Sequence, residues 1–181
     1  EKDCSVSALF FMNGINKTSS KNFTTTLYSQ VNAIDTTIYV VGNYTGYTGY
    51  IVIKNEVVLV TSSTYDGTKT SMAVSREVLG TVKETSYVVG TNVYPVDLFK
   101  NVANFRYSQQ SDGSEADLFG VNMDTGAVVI YDEPLKWSKF NPSKEYNYKN
   151  RKKVFLFEGI NGQYIKKFEG LTYRKTNNNV R

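Results

Sequence analysis

The side chains able to do chemistry are first defined by what is missing. The 181-residue chain has no His and a single Cys, Cys4. Ser-His-Asp and Cys-His nucleophile systems, structural zinc sites and haem ligation by His therefore lack their usual parts. Catalysis would have to run on carboxylates and Tyr, and no two carboxylates are paired for it. Asp132 and Glu133 are neighbours, so on a strand they face opposite sides of a sheet and cannot act as acid and base on one substrate. Asp112, Glu115 and Asp117 share a Gly-containing loop, but without the ordered spacing of a dedicated calcium loop they read as a solvated turn. The expectation is a protein that is not an enzyme and carries no cofactor.

Binding chemistry is better represented. Tyr44, Tyr47 and Tyr50 recur at every third position with Gly46 and Gly49 between them, a pattern that either offers ring faces to a sugar or a protein, or feeds one or two rings into a core. Arg151, Lys152 and Lys153, with Lys166 and Lys167, flank the apolar Phe155, Phe157 and Phe168. Such a basic edge suits an acidic partner, and equally suits protection of an edge strand by Lys. Sequons for N-glycosylation stand at Asn16, Asn22 and Asn43, while Pro142 blocks the one at Asn141. About three such triplets arise by chance in a chain this rich in Asn, Ser and Thr, so their number alone does not establish secretion.

Charge is unevenly placed. Residues 136–181 hold 12 of the 21 Lys+Arg and 3 of the 17 Asp+Glu, a net +9 that leaves −5 on residues 1–135. No full basic stripe or nucleic-acid-binding motif accompanies it, so nucleic acid is not an expected partner. The longest apolar run, residues 8–12, is far too short to span a bilayer, so this stretch inserts in no membrane and any leader or anchor is expected outside it.

The elements that must position these groups read as strands. Apolar residues alternate with Thr, Ser and Lys between Gly and Asn punctuation, with period 2 rather than 3.6. Strands are predicted at 7–12, 23–31, 37–41, 50–54, 57–61, 71–74, 78–83, 92–96, 104–108, 118–122, 127–131, 154–158, 164–168 and 171–175. Asn55-Glu56 and Asp124-Thr125-Gly126 are the expected hairpin turns, and a short helical turn is expected within 95–105 after Pro95. The polar segment 62–77 reads as a domain boundary or a long hairpin loop. The fold class that follows is all-β, an antiparallel Greek-key sandwich, in two modules at 1–77 and 78–181.

One stretch carries a family likeness. Residues 81–96 read T-V-K-E-T-S-Y-V-V-G-T-N-V-Y-P-V, and 104–135 continue N-F-R-Y-S-Q-Q-S-D-G-S-E-A-D-L-F-G-V-N-M-D-T-G-A-V-V-I-Y-D-E-P-L. In order, this resembles the V-x-E, G-T-x-V, I-x-Y-S, F-x-I-(D/N)-x-x-T-G-x-I and L-D-x-E pieces of an extracellular cadherin repeat, which would span roughly 78–179. The resemblance implies a β-sandwich adhesion module of a membrane-anchored ectodomain. It also implies junctional calcium, and there the chain departs from the pattern. Glu84 falls at the first-strand glutamate, but the L-D-x-E position reads Leu135-Lys136-Trp137-Ser138 and the linker reads Asn177-Asn178-Asn179. Calcium needs several carboxylates, so Glu84 alone would hold it poorly.

The reading is thus an extracellular, cell-surface adhesion or recognition module that binds another protein, its own copy included, without junctional calcium. The alternative is a glycan-binding surface domain of a bacterial lipoprotein or phage fibre. Partner contacts are expected at Tyr44, Tyr47, Tyr50, Arg151, Lys152 and Lys153.

Overall fold

The computed structural model describes residues 6–13, 24–99, 102–110, 123–130 and 153–171. In chain order the strands are β1 (Val6–Asn13), β2 (Thr25–Thr26), β3 (Val31–Asn32), β4 (Thr37–Val41), β5 (Gly49–Ile53), β6 (Glu56–Tyr65), β7 (Lys69–Ser75), β8 (Ser86–Tyr87), β9 (Asn92–Phe99), β10 (Val102–Gln110), β11 (Met123–Ile130), β12 (Lys153–Ile160) and β13 (Gln163–Leu171), with a 3₁₀ turn at Val78–Gly80. The described chain is all-β, and its strands pair antiparallel.

The main sheet has the order β13-β12-β1-β9-β5-β6-β7-β4, with β2 also on β9. Part of it closes on itself. Leu27 bridges Val40 of β4, its N–H donates to the Thr91 carbonyl at 2.9 Å, and Tyr28 N–H donates to the Tyr39 carbonyl at 2.8 Å. The chain leaving β2 thereby joins β4 to β9, and β9-β5-β6-β7-β4-β2 becomes a ring with no open edge at that seam. Alternation fills the interior: β4 sends Ile38 and Val40 inward, β7 sends Met72 and Val74, and β5 sends Ile51 and Ile53, all around Leu27 and Tyr87. Each such side chain, fully buried, contributes roughly 1.5–3 kcal/mol.

A second layer covers the outside of β5 and β6. Val52 and Val57 point away from the ring and meet Phe11, Val96, Phe155 and Phe157, all buried. Phe11 and Phe157 touch edge to face, centroids 5.7 Å apart. The β12–β13 hairpin lies over the β5–β6 turn, where Lys166 Nζ donates to the Lys54 carbonyl at 2.7 Å. Its own turn is Asn161-Gly162, with φ of 54 and 83 between the paired Ile160 and Gln163. Two positive φ values in a two-residue loop are what Asn-Gly supplies most cheaply. Two layers around apolar cores are consistent with the expected β-sandwich class.

Several local expectations are corrected. The 23–31 strand breaks at residues 28–29, because the chain bends there to close the ring. The β5–β6 turn falls at Lys54-Asn55, with Lys54 at φ 49, so that Glu56 is already paired with Ile53. Residues 78–83 are not a strand: Val78–Gly80 form the 3₁₀ turn, since Glu77, Leu79 and Gly80 all take positive φ, and Thr81 makes a single bridge to Tyr164. No helix forms at 95–99: that stretch continues β9, whose edges are claimed by β5 and β1. Asp124-Thr125-Gly126 lies within β11, opposite Tyr107–Gln109 of β10, and is not a turn. The 62–77 segment is the β6–β7 hairpin, turning at Asp66 to Thr68. Strands from both sides of residue 77 share one sheet, β1 with β12 and β5 with β9, so 1–77 and 78–181 are not two separate modules. Cys4, Asn16, Asn22, the 118–122 strand, the Asp112–Asp117 loop, Asp132, Glu133, Leu135 to Ser138, Arg151, Lys152 and residues 172–181 lie outside the described residues.

Candidate binding surface

The strongest polar chemistry faces inward. Glu56 opens β6 with its side chain wholly buried, paired with Arg76 at 7% side-chain exposure. Its Oε1 accepts from Arg76 Nε at 2.7 Å and from Glu77 N–H at 3.1 Å. Its Oε2 accepts from Arg76 Nη2 at 2.7 Å and from the Tyr87 hydroxyl at 2.8 Å. A carboxylate offers about four lone-pair positions, and all are taken. Burial pushes the Tyr87 hydroxyl well above its ordinary pKa, and its hydrogen bond to Glu56 adds to this. Burial works against charge on Arg76, yet the hydrogen bonds and attraction of Glu56 hold its pKa above the usual value. Arg76 Nη1 also donates to the Asn32 carbonyl at 3.0 Å. The cluster therefore pins β3, β6 and β8 together and leaves no free acid, base or nucleophile for a substrate. The sequence reading passed over it, since no spacing relates residues 56, 76 and 87.

Residues singled out by sequence fare unevenly. Glu84 is salt-bridged to Lys54 at 3.1 Å, and among the described residues no cluster of three carboxylate, Cys or His groups stands ready for a metal. Tyr44 and Tyr47 pack on the ring core and Tyr50 on the second core, so the three rings are partly buried rather than displayed. Tyr47 donates to the Tyr50 carbonyl at 2.7 Å, and burial, then the Asp97 charge, push its pKa well up. The Ser63 hydroxyl holds the loop by donating toward the Tyr44 and Tyr47 carbonyls at 2.6 and 2.8 Å. Asn43 is exposed, with Oδ1 accepting from Thr45 N–H at 3.1 Å. Lys153 and Lys166 both pair with Glu169 at 2.6 Å, so one carboxylate is shared by two ammonium groups of the β12–β13 hairpin. Among the described residues no helix is long and apolar enough to cross a membrane.

The exposed chemistry lies elsewhere. Residues 27–33 run antiparallel beside 85–91, tied by the β3–β8 pairing and by Ala33 N–H to the Thr85 carbonyl and Gly90 N–H to the Leu27 carbonyl. On this ribbon Val88, Val89 and Tyr28 stand 65%, 62% and 42% exposed, and Ile34, just past its end, 89%. Beside it Ser29, Gln30, Ile34, Asp35, Thr36, Thr37 and Tyr39 line an open groove of about 380 Å³. Lys69 holds the adjoining rings, with Nζ 5.0 Å from the Tyr28 centroid and 5.2 Å from that of Tyr39. Only the topology gathers these residues, and no motif marks them.

No protein-family model, curated protein or solved structure matches this chain.

Proposed function

We propose that the chain is a non-enzymatic recognition module of a cell surface that binds another protein, its own copy included, without calcium. The observation that carries the reading is the exposure of four large apolar side chains, Tyr28, Ile34, Val88 and Val89, on or next to a ribbon fastened to the ring by Leu27, the β3–β8 pairing and Arg76. Large apolar side chains held in water on a stiff frame recover roughly 25 cal/mol per Å² when a partner covers them. A frame already ordered loses little entropy on docking. The saturated Glu56 carboxylate supports a role in architecture over one in catalysis, and the Lys54–Glu84 pair supports calcium independence. The adhesion form of the reading comes from the cadherin-like stretch at 81–135, and the exposed Asn43 sequon suits a glycoprotein outside the cell.

Sedimentation velocity across protein concentration, with millimolar calcium and with chelator, tests it. Reversible self-association in both conditions, abolished by Val88→Ser with Val89→Ser, is the expected result. Association that requires calcium refutes the calcium-independent reading, and a monomer throughout refutes self-recognition.

A further inference from the structure

We propose that the groove beside β4 binds a neutral oligosaccharide, with Tyr39 as its stacking platform. This goes beyond the protein-docking reading: the two surfaces share Ile34, but the groove adds Tyr39 and a set of polar groups that the docking surface does not use. The groove is lined by residues of the 29–37 segment together with Tyr39, and its volume of about 380 Å³ suits a small ligand.

The Tyr39 ring is held before any ligand arrives. Lys69 lies over both Tyr39 and Tyr28 and pairs with Asp66 at 3.8 Å. A ring fixed in this way loses little rotamer freedom when the C–H face of a sugar stacks on it. The 29–37 segment is also set: Asp35 Oδ2 accepts from Asn32 N–H at 2.7 Å, and the Thr36 carbonyl accepts from Val74 N–H at 2.8 Å.

The hydrogen-bonding groups left over select the ligand class. Among the described residues the hydroxyls of Ser29, Thr36 and Thr37 and the Oδ1 of Asp35 have no partner. Together with the Gln30 amide, which reaches Asn32 Oδ1 at 3.3 Å, they offer mixed donors and acceptors, the complement of a polyol. Among the described residues lining the groove the one charge is the Asp35 carboxylate, which repels sulfated or phosphorylated ligands. Lys69, beside Tyr39, is engaged with two rings and Asp66. Uncommitted polar groups around one fixed aromatic ring therefore point to an uncharged sugar.

Isothermal titration of the whole chain with chitotetraose, cellotetraose and maltotetraose tests the proposal, with a heparin tetrasaccharide as the anionic comparison. Saturable binding of at least one neutral probe is expected, weakened about tenfold or more by Tyr39→Ala, the size of one aromatic stacking contact. Tyr39→Phe should retain the affinity, and Thr36→Val with Thr37→Val should lower it several-fold, with circular dichroism confirming the fold of each. Val88→Ser with Val89→Ser should leave sugar binding intact, which separates this groove from the protein-docking surface. Absence of saturable binding by all three neutral probes overturns the proposal. So does tighter binding of the heparin probe, or undiminished binding by a folded Tyr39→Ala variant.

Discussion

Removing the guanidinium of Arg76 while keeping its aliphatic stem is the sharpest test of the buried cluster. Arg76→Met also removes the guanidinium from over the Tyr87 ring, where its carbon sits 5.5 Å from the centroid, while keeping apolar bulk in its place. The Glu56 carboxylate, wholly buried, loses both of its 2.7 Å charge-assisted bonds and keeps only the Tyr87 hydroxyl and the Glu77 N–H. Breaking one side of a buried pair costs roughly 3–5 kcal/mol, mostly from the orphaned charge. Two surviving donors place the cost near the lower end, about 3 kcal/mol, which is a large share of the roughly 5–15 kcal/mol that stabilises a domain. Urea unfolding at pH 7 reads this as a lowered midpoint at unchanged slope. Adding Glu56→Gln to Arg76→Met removes the orphaned charge and should restore about 1–2 kcal/mol, so the second substitution stabilises the first. A loss below about 1 kcal/mol in Arg76→Met, or further destabilisation by Glu56→Gln on that background, would refute the view that desolvated charge controls this cluster.

Other outcomes follow from single contacts. Gly80 sits at φ 75, and a Cβ there would lie 2.0 Å from the Gly162 carbonyl oxygen, whereas Gly67 at φ 100 faces open space. Gly67→Ala should cost about 1–2 kcal/mol from backbone conformation alone, and Gly80→Ala should exceed it by a further 1–3 kcal/mol from the clash; equal midpoints in thermal unfolding would contradict the close approach. Met72 is fully buried in the ring, so Met72→Ala should cost roughly 2–5 kcal/mol in urea unfolding, and a near-neutral result would mean the ring interior is not packed as described. Burial opposes ionisation of Glu169, but its hydrogen bonds to Lys153 and Lys166 hold its pKa below the ordinary 4.5. Its contribution is therefore present above pH 4.5 and lost as pH falls through the depressed value. Between pH 5 and about 3, stability of Glu169→Gln should fall less steeply than that of the unaltered chain, and parallel curves would exclude this linkage.

Much of the fold was legible as alternation. β4 occupies the predicted 37–41, and β1 and β12 extend the predicted 7–12 and 154–158 by one or two residues at each end. Those stretches bury one face or both by simple period 2, and no neighbour interferes. The misplaced turns have local causes. Glu56 is drawn into β6 by Arg76 and Tyr87, which moves the β5–β6 turn one residue earlier. The Asn161-Gly162 hairpin dipeptide falls in the gap between the predicted 154–158 and 164–168, which the structure extends to β12 and β13.

By itself the sequence determined an all-β antiparallel protein lacking the parts for His- or Cys-based catalysis, because period, turn residues and composition are local properties of the chain. The tertiary structure alone decided which strands are neighbours. Closure of the ring through Leu27, interleaving of β1 and β12 with β9 and β5, and neutralisation of Glu56 by a cation twenty positions away depend on pairings that no local pattern encodes. The candidate surfaces belong to the same class. Tyr28, Ile34, Tyr39, Val88 and Val89 look like ordinary strand and loop residues until the fold leaves four of them exposed and sets Tyr39 in a groove with Ile34, while the conspicuous Tyr44, Tyr47 and Tyr50 are drawn against the cores by the larger gain from burying their rings.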